Sequence, residues 1–126
     1  MALQSVNPRT GVLIREYPET SGDDVAKALS AAHQAFLSWR EISFADRSLP
    51  LRRAAALLRE GKEELAKLMA LEMGKPLAQG RAEAEKCAWV CEYYAAEAEG
   101  FLKPQTIATD ASRSFVAPDF RSRFSA

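Results

Sequence analysis

The residues able to do chemistry in this chain are few, and most stand alone. His33 is the single histidine. It lies in a stretch with helical apolar periodicity, and a general base needs a positioned partner within hydrogen-bond reach, which no spacing here supplies. A structural role is the expectation for it. Cys87 and Cys91 are the only cysteines and sit four residues apart. On a helix they share one face about one turn apart, a spacing that matches neither a structural zinc site nor a thioredoxin-type redox pair. A disulfide framework needs an extracellular setting and usually more cysteines. The expectation is therefore a pair of reduced thiols packed in the core as small hydrophobes.

Phosphate chemistry finds no support either. Gly61-Lys62 and Gly74-Lys75 lack both the upstream glycine and the following hydroxyl residue of a phosphate loop, and no G-x-G-x-x-G occurs. Arg47, Arg52, Arg53, Arg59 and Lys62 make one stretch basic, but Glu60, Glu63 and Glu64 offset it. A solvated face is expected there rather than a nucleic-acid surface. Glu83, Glu85, Glu92, Glu97 and Glu99 read in the same way as the wet side of a helix. Trp39, Trp89, Tyr93 and Tyr94 are expected to be core or interface anchors.

These residues must be placed by secondary structure, and the chain is punctuated clearly. Asn7-Pro8 and Thr10-Gly11 are turn signals, and the β-rich run Val12 to Tyr17 follows them, which predicts two short strands around a turn. Such a pair needs something to pack on. Ser21 or Asp23 can cap a first helix whose apolar residues recur at Val25, Leu29, Ala32, Phe36 and Trp39, in steps of four and three. Ser43-Phe44-Ala45-Asp46 is a variant capping box for a second helix. Pro50 removes one hydrogen bond and crowds the preceding turn, so a kink or a late start near Ser48 is expected. A third helix is predicted from about Lys62 to Met73, ended by Gly74-Lys75-Pro76. A long fourth helix follows from about Leu77 to Leu102, with a stripe through Ala84, Cys87 or Ala88, Cys91, Tyr94, Ala98 and Phe101. Pro104 ends it, and Thr106 to Val116 is expected to give a strand or strand pair. The fold class is thus α+β and mainly helical, four helices flanked by short β segments.

The 126 residues fit one domain, with 48% hydrophobic and 27% charged residues, as in ordinary globular proteins. Lysine plus arginine equals aspartate plus glutamate, 17 against 17. That balance gives no electrostatic reason to expect nucleic acid or an anionic membrane as a partner. No apolar run reaches signal-peptide or membrane-span length, which makes the cytosol the expected location.

Three segments together resemble the amino-terminal region of the aldehyde dehydrogenases: Ser5-Val-Asn-Pro-Arg-Thr-Gly, Ala35-Phe-Leu-Ser-Trp-Arg and Leu71-Glu-Met-Gly-Lys-Pro-Leu. Lys86-Cys-Ala-Trp-Val-Cys-Glu-Tyr-Tyr-Ala and Ala108-Thr-Asp-Ala-Ser-Arg-Ser-Phe-Val are similar to the succinate-semialdehyde dehydrogenase branch. The resemblance implies a parent enzyme several times longer, with a Rossmann-like cofactor domain, a catalytic domain and a small β element for oligomerisation. It implies oxidation of an aldehyde to an acid with NAD or NADP, through a cysteine thiolate, hydride transfer and a glutamate that activates water. The cofactor-binding P-W-N-F-P segment, the glycine motif, the base and the nucleophile all belong downstream of the matched region. None occurs in this chain, so no catalytic and no cofactor-binding residue is assigned, and Cys87 and Cys91 correspond to helix positions rather than to the nucleophile. A backbone carbonyl near the N-P motif and an acid early in the long helix help to hold a monovalent cation in relatives. Ser5, Val6 and Glu83 stand at matching positions, without the other ligands of such a site, and no metal site is assigned.

Residues 1–117 are thus expected to form an incomplete amino-terminal domain. Residues 118–126, from Pro118 to Ala126, depart from the family pattern as a divergent tail of the kind a frameshift or rearranged gene produces. The expected product is a truncated aldehyde dehydrogenase, inactive and binding no cofactor by itself. The alternatives are one half of a two-chain enzyme and a non-enzymatic helical interaction module. Apolar faces built to lie on a larger body imply association, either with a missing catalytic half or with further copies of the chain.

Overall fold

The computed structural model describes residues 3–117; the tail expected at 118–126 lies outside the described residues. The chain order is β1 (Leu3–Val6), β2 (Leu13–Tyr17), α1 (Gly22–Trp39), α2 (Phe44–Glu60), α3 (Lys62–Met73), α4 (Leu77–Phe101), β3 (Gln105–Thr106) and β4 (Phe115–Val116). The expected α+β architecture of four helices between short strand pairs is what forms. Its helix breaks fall at the expected serine and glycines.

The hairpin follows from its turn residues. Asn7 Oδ1 accepts hydrogen bonds from the backbone N–H groups of Arg9 at 2.9 Å and Thr10 at 3.2 Å, and Gly11 takes φ +70°, where a Cβ would be strained. β1 and β2 then pair antiparallel, Leu3 opposite Tyr17 and Ser5 opposite Arg15, with an irregularity between Ser5 and Val6. At the other end β3 and β4 pair as Gln105 with Val116 and Thr106 with Phe115.

Ser21 and Ser43 cap α1 and α2 by accepting from the N–H groups of Asp24 and Asp46, each at 3.1 Å, and each serine hydroxyl also donates to the same aspartate carboxylate at 2.7 Å. The late start expected near Ser48 does not occur. α2 begins at Phe44 and carries Pro50 inside it. The reciprocal cap fixes the first turn, and one missing N–H is not enough to unseat a helix held by tertiary packing. Gly74 ends α3 at φ +68°, its N–H donating to the Ala70 carbonyl at 3.1 Å, and Pro76 forbids continuation.

α4 lies against both α2 and α3. The contact is made of small residues: Ala55 from α2, Ala66 from α3, and Gly80, Ala84 and Ala88 from α4 are the buried ones. A Cβ placed on Gly80 would lie 2.9 Å from the Ala66 Cα, so the backbones approach as closely as atoms allow. Among the described residues no large side chain is fully buried. α1 differs altogether. None of its residues is buried, and no other element packs broadly on it.

Candidate functional site

The fourth helix gathers most of the polar contacts that bind the elements together. Arg59, at the end of α2, donates through both terminal nitrogens to Glu92, Nη1 to Oε1 at 2.5 Å and Nη2 to Oε2 at 2.9 Å. Its Nε reaches Glu85 at 2.7 Å, and Lys62 stands 3.9 Å from the same carboxylate. The hydrogen bonds from Arg59 hold the Glu92 carboxyl below its ordinary range, and those to Glu92 and Glu85 raise the guanidinium further above its own. Arg81 closes a similar contact onto Glu63, bridging α4 to α3 with Nε 2.9 Å from each carboxylate oxygen. Glu85 and Glu92 therefore do more than line a wet face. They are clamps, and the neighbours expected to offset the basic stretch (Glu60, Glu63, Glu64) answer Arg59 less than these two distant glutamates do. No local signal announces the pairing, because the partners lie 26 and 33 residues apart.

Of the three positions singled out by resemblance, Ser5 and Glu83 have side chains engaged by other residues of the chain. The Ser5 hydroxyl donates to Glu72 Oε1 at 2.8 Å, which ties the hairpin to the end of α3. Glu83 is ion-paired with Lys75 Nζ, and Val6 is exposed. Among the described residues no three His, Cys, Asp or Glu side chains converge as metal ligands would.

The lone histidine and the cysteines fall out differently. His33 is exposed on α1. The core-thiol expectation is corrected for Cys87, which is exposed, while Cys91 is half-buried, and both are free. The reason is the α4 stripe itself. The buried line runs Gly80, Ala84, Ala88, so Ala88 and not Cys87 faces the neighbouring helices. Trp89, Tyr93 and Tyr94 likewise are not core residues here, at 58%, 42% and 51% exposed. They form an aromatic row with Phe101, Trp89 to Tyr93 at 5.9 Å and Tyr93 to Phe101 at 6.0 Å between ring centres. Trp39 is 44% exposed. A hollow of about 240 Å³ opens between the start of α2 and the end of α4, lined among others by Phe44, Arg52, Tyr94 and Glu99. Arg47 on its rim is spoken for, with Nε donating to the Ile42 carbonyl at 3.0 Å and the guanidinium 4.5 Å over the Phe44 ring. No helix among the described residues is long and apolar enough to cross a membrane.

This arrangement is a scaffold of small-residue helix contacts, ionic clamps and uncovered aromatic faces, and its family is shown by the sequence it carries. The aldehyde dehydrogenase family model matches residues 1–118, and the chain belongs to that family. Within it, the chain is 43% identical over 117 residues to a probable NADP(+) succinate-semialdehyde dehydrogenase of Synechocystis sp., covering 93% of this chain and 26% of that protein. It is 39% identical over 102 residues to succinate-semialdehyde dehydrogenase [NADP(+)] 1 of Mycobacterium tuberculosis, covering 81% of this chain and 22% of that one. The crystal structure of succinic semialdehyde dehydrogenase from Streptococcus pyogenes with NADP+ superposes with a TM-score of 0.85 at 26% identity, over 90% of this chain and 25% of that one. The chain spans about a quarter of the length of these relatives, and its fold is the amino-terminal portion of theirs.

Proposed function

We propose that this chain serves as the amino-terminal scaffold of an NADP-linked succinate-semialdehyde dehydrogenase and performs no oxidation by itself. The observation that carries the reading is the 43% identity to the Synechocystis relative over nearly the whole chain. The relatives' names supply the aldehyde and the coenzyme. The chain's own residues supply position: the Arg59 clamp and the small-residue contacts fix α2, α3 and α4 as one body. Leu29 and Trp39 on α1 and the aromatic row on α4 keep much of their surface exposed. Their partner is the cofactor and catalytic portion of such an enzyme, whether joined to this chain or carried on a second one. The location that suits this chemistry is the cytosol.

A reconstitution experiment tests the reading. The purified chain with succinate semialdehyde and either nicotinamide coenzyme should give no reduced coenzyme above blank. Mixing it with, or fusing it to, the remaining three quarters or so of the Synechocystis relative should restore NADP-linked oxidation. Turnover by the chain alone would overturn its catalytic silence. A folded fusion without activity would overturn the scaffold role. A second reading, self-association of the chain, is favoured by the exposure of Leu29 at 67% and Trp89 at 58%, since large apolar side chains left in water gain by being covered. Size-exclusion chromatography of the isolated chain, which should run larger than a monomer, decides it.

A further inference from the structure

Cys87 and Cys91 lie on α4 in an open hollow of about 630 Å³ that Ala82, Glu83, Lys86 and Val90 complete. All its lining residues come from the one helix, with Cys87 exposed and Cys91 half-buried. Both cysteines are free. At a spacing of four on a helix the Cβ atoms stand roughly 5–6 Å apart. A disulfide requires roughly 3.5–4.5 Å between them, so the intact helix keeps the two sulfurs from joining directly. The same separation suits an atom inserted between them, because two carbon–sulfur arms can turn inward onto one shared soft centre. Thiolate sulfur selects soft, thiophilic elements over hard cations. Glu83 pairs with Lys75, and among the described residues no third ligand of the histidine, cysteine or acid type converges on the pair.

We propose that Cys87 and Cys91 form a two-sulfur chelating site for a single thiophilic centre of low coordination number, of which a trivalent organoarsenical is the representative. The step is a condensation without redox change. The arsenic–oxygen bond of phenylarsine oxide is lost, two arsenic–sulfur bonds form, and the two thiol protons leave with the oxygen as water. Arsenic remains trivalent and both sulfurs keep their oxidation state. Closing the second bond is intramolecular, and such an effective concentration raises overall affinity by about 10²–10⁴-fold over a single thiol.

The test uses the reduced full chain and phenylarsine oxide, read by intact mass. One arsenical per chain is expected, blocking both thiols to iodoacetamide, surviving excess monothiol and released by a dithiol, with the helical circular dichroism unchanged. Cys87→Ser and Cys91→Ser should each weaken binding by about 10²-fold or more. Trp89→Cys in the Cys91→Ser background restores the number of thiols but places the second on another face of the helix, and it should bind no better than the single-thiol variants. Two arsenicals per native chain, unchanged affinity in either serine variant, full recovery in the relocated pair, or an adduct formed only in urea would each overturn the proposal. So would a disulfide between Cys87 and Cys91 that forms under mild oxidation with the helix intact.

Discussion

α1 and α4 are both amphipathic in sequence and both sit in the same short chain, yet α4 packs broadly on two neighbours and α1 broadly on none among the described elements. The difference lies in side-chain size along the apolar line. On α4 that line is Gly80, Ala84 and Ala88, and its partners Ala55 and Ala66 are equally small. Backbones so lined can approach until dispersion contacts are dense, and ionic clamps can then span the gap from α2 and α3. On α1 the exposed part of the line is Val25, Leu29 and Trp39, large residues that need a deep receiving surface. None of the described elements offers one, and Leu29 stays 67% exposed. Apolar periodicity therefore marks a face that must be covered without saying whether the cover lies within the same segment. In this family member the small-residue faces are satisfied internally, and most of the large residues on α1 keep much of their surface exposed.

Gly80→Ala attacks the packed side of that comparison most directly. A methyl at this position meets the Ala66 Cα at 2.9 Å, a backbone atom that cannot swing away. Alanine normally gains about 1 kcal/mol over glycine inside a helix. Here overpacking should outweigh that gain and leave a net loss of about 1–3 kcal/mol, seen as a lower urea midpoint. A variant more stable than the parent would mean that α3 and α4 do not approach so closely in solution.

The two serine caps sharpen the contrast, because their local geometry is the same and their surroundings are not. Ser43→Ala should lower the stability of the α2–α4 unit by about 1 kcal/mol. Ser21→Ala should fray the start of α1, with a small loss of helical circular dichroism, and leave the cooperative melt within about 0.5 kcal/mol of the parent. Equal shifts from both would show that α1 folds together with the rest.

The smallest effect at neutral pH is expected from Arg59→Ala, since the clamp is half exposed and screened. Its signature is the pH dependence. The hydrogen bonds from Arg59 depress the folded-state value of Glu92 below its ordinary 4.5. Such a carboxylate binds its proton more readily in the unfolded chain. Its contribution is thus fully present above the ordinary value and is lost as pH falls through the depressed one. Urea melts from neutral down through this acidic window should lose stability more steeply in the parent than in Arg59→Ala. Parallel profiles would remove Glu92 from the clamp.

Much of the fold was legible from local signals. Ser21, Ser43, Gly61, Gly74 and Pro76 delimit the helices because caps and breakers act within a turn of themselves, and Asn7 with Gly11 closes the hairpin for the same reason. Pro50 does not delay the helix, since Ser43 and Asp46 fix its start upstream. The site was legible chiefly through resemblance. The matching positions Ser5 and Glu83 could be named, but their partners, Glu72 and Lys75, could not, because pairing across 67 residues, or across the break between α3 and α4, has no sequence period.

The sequence by itself determined the element order, most helix boundaries and the family, since these depend on residue identity at short separations. Tertiary structure alone decided which apolar stripe is inside. A helix with alanines and cysteines at neighbouring positions has two candidate faces, and the close approach at Gly80 and Ala66 turns Ala84 and Ala88 inward and leaves Cys87 facing out. That choice is set by how near two backbones can come, a property of the packed pair of helices that neither strand of sequence holds alone.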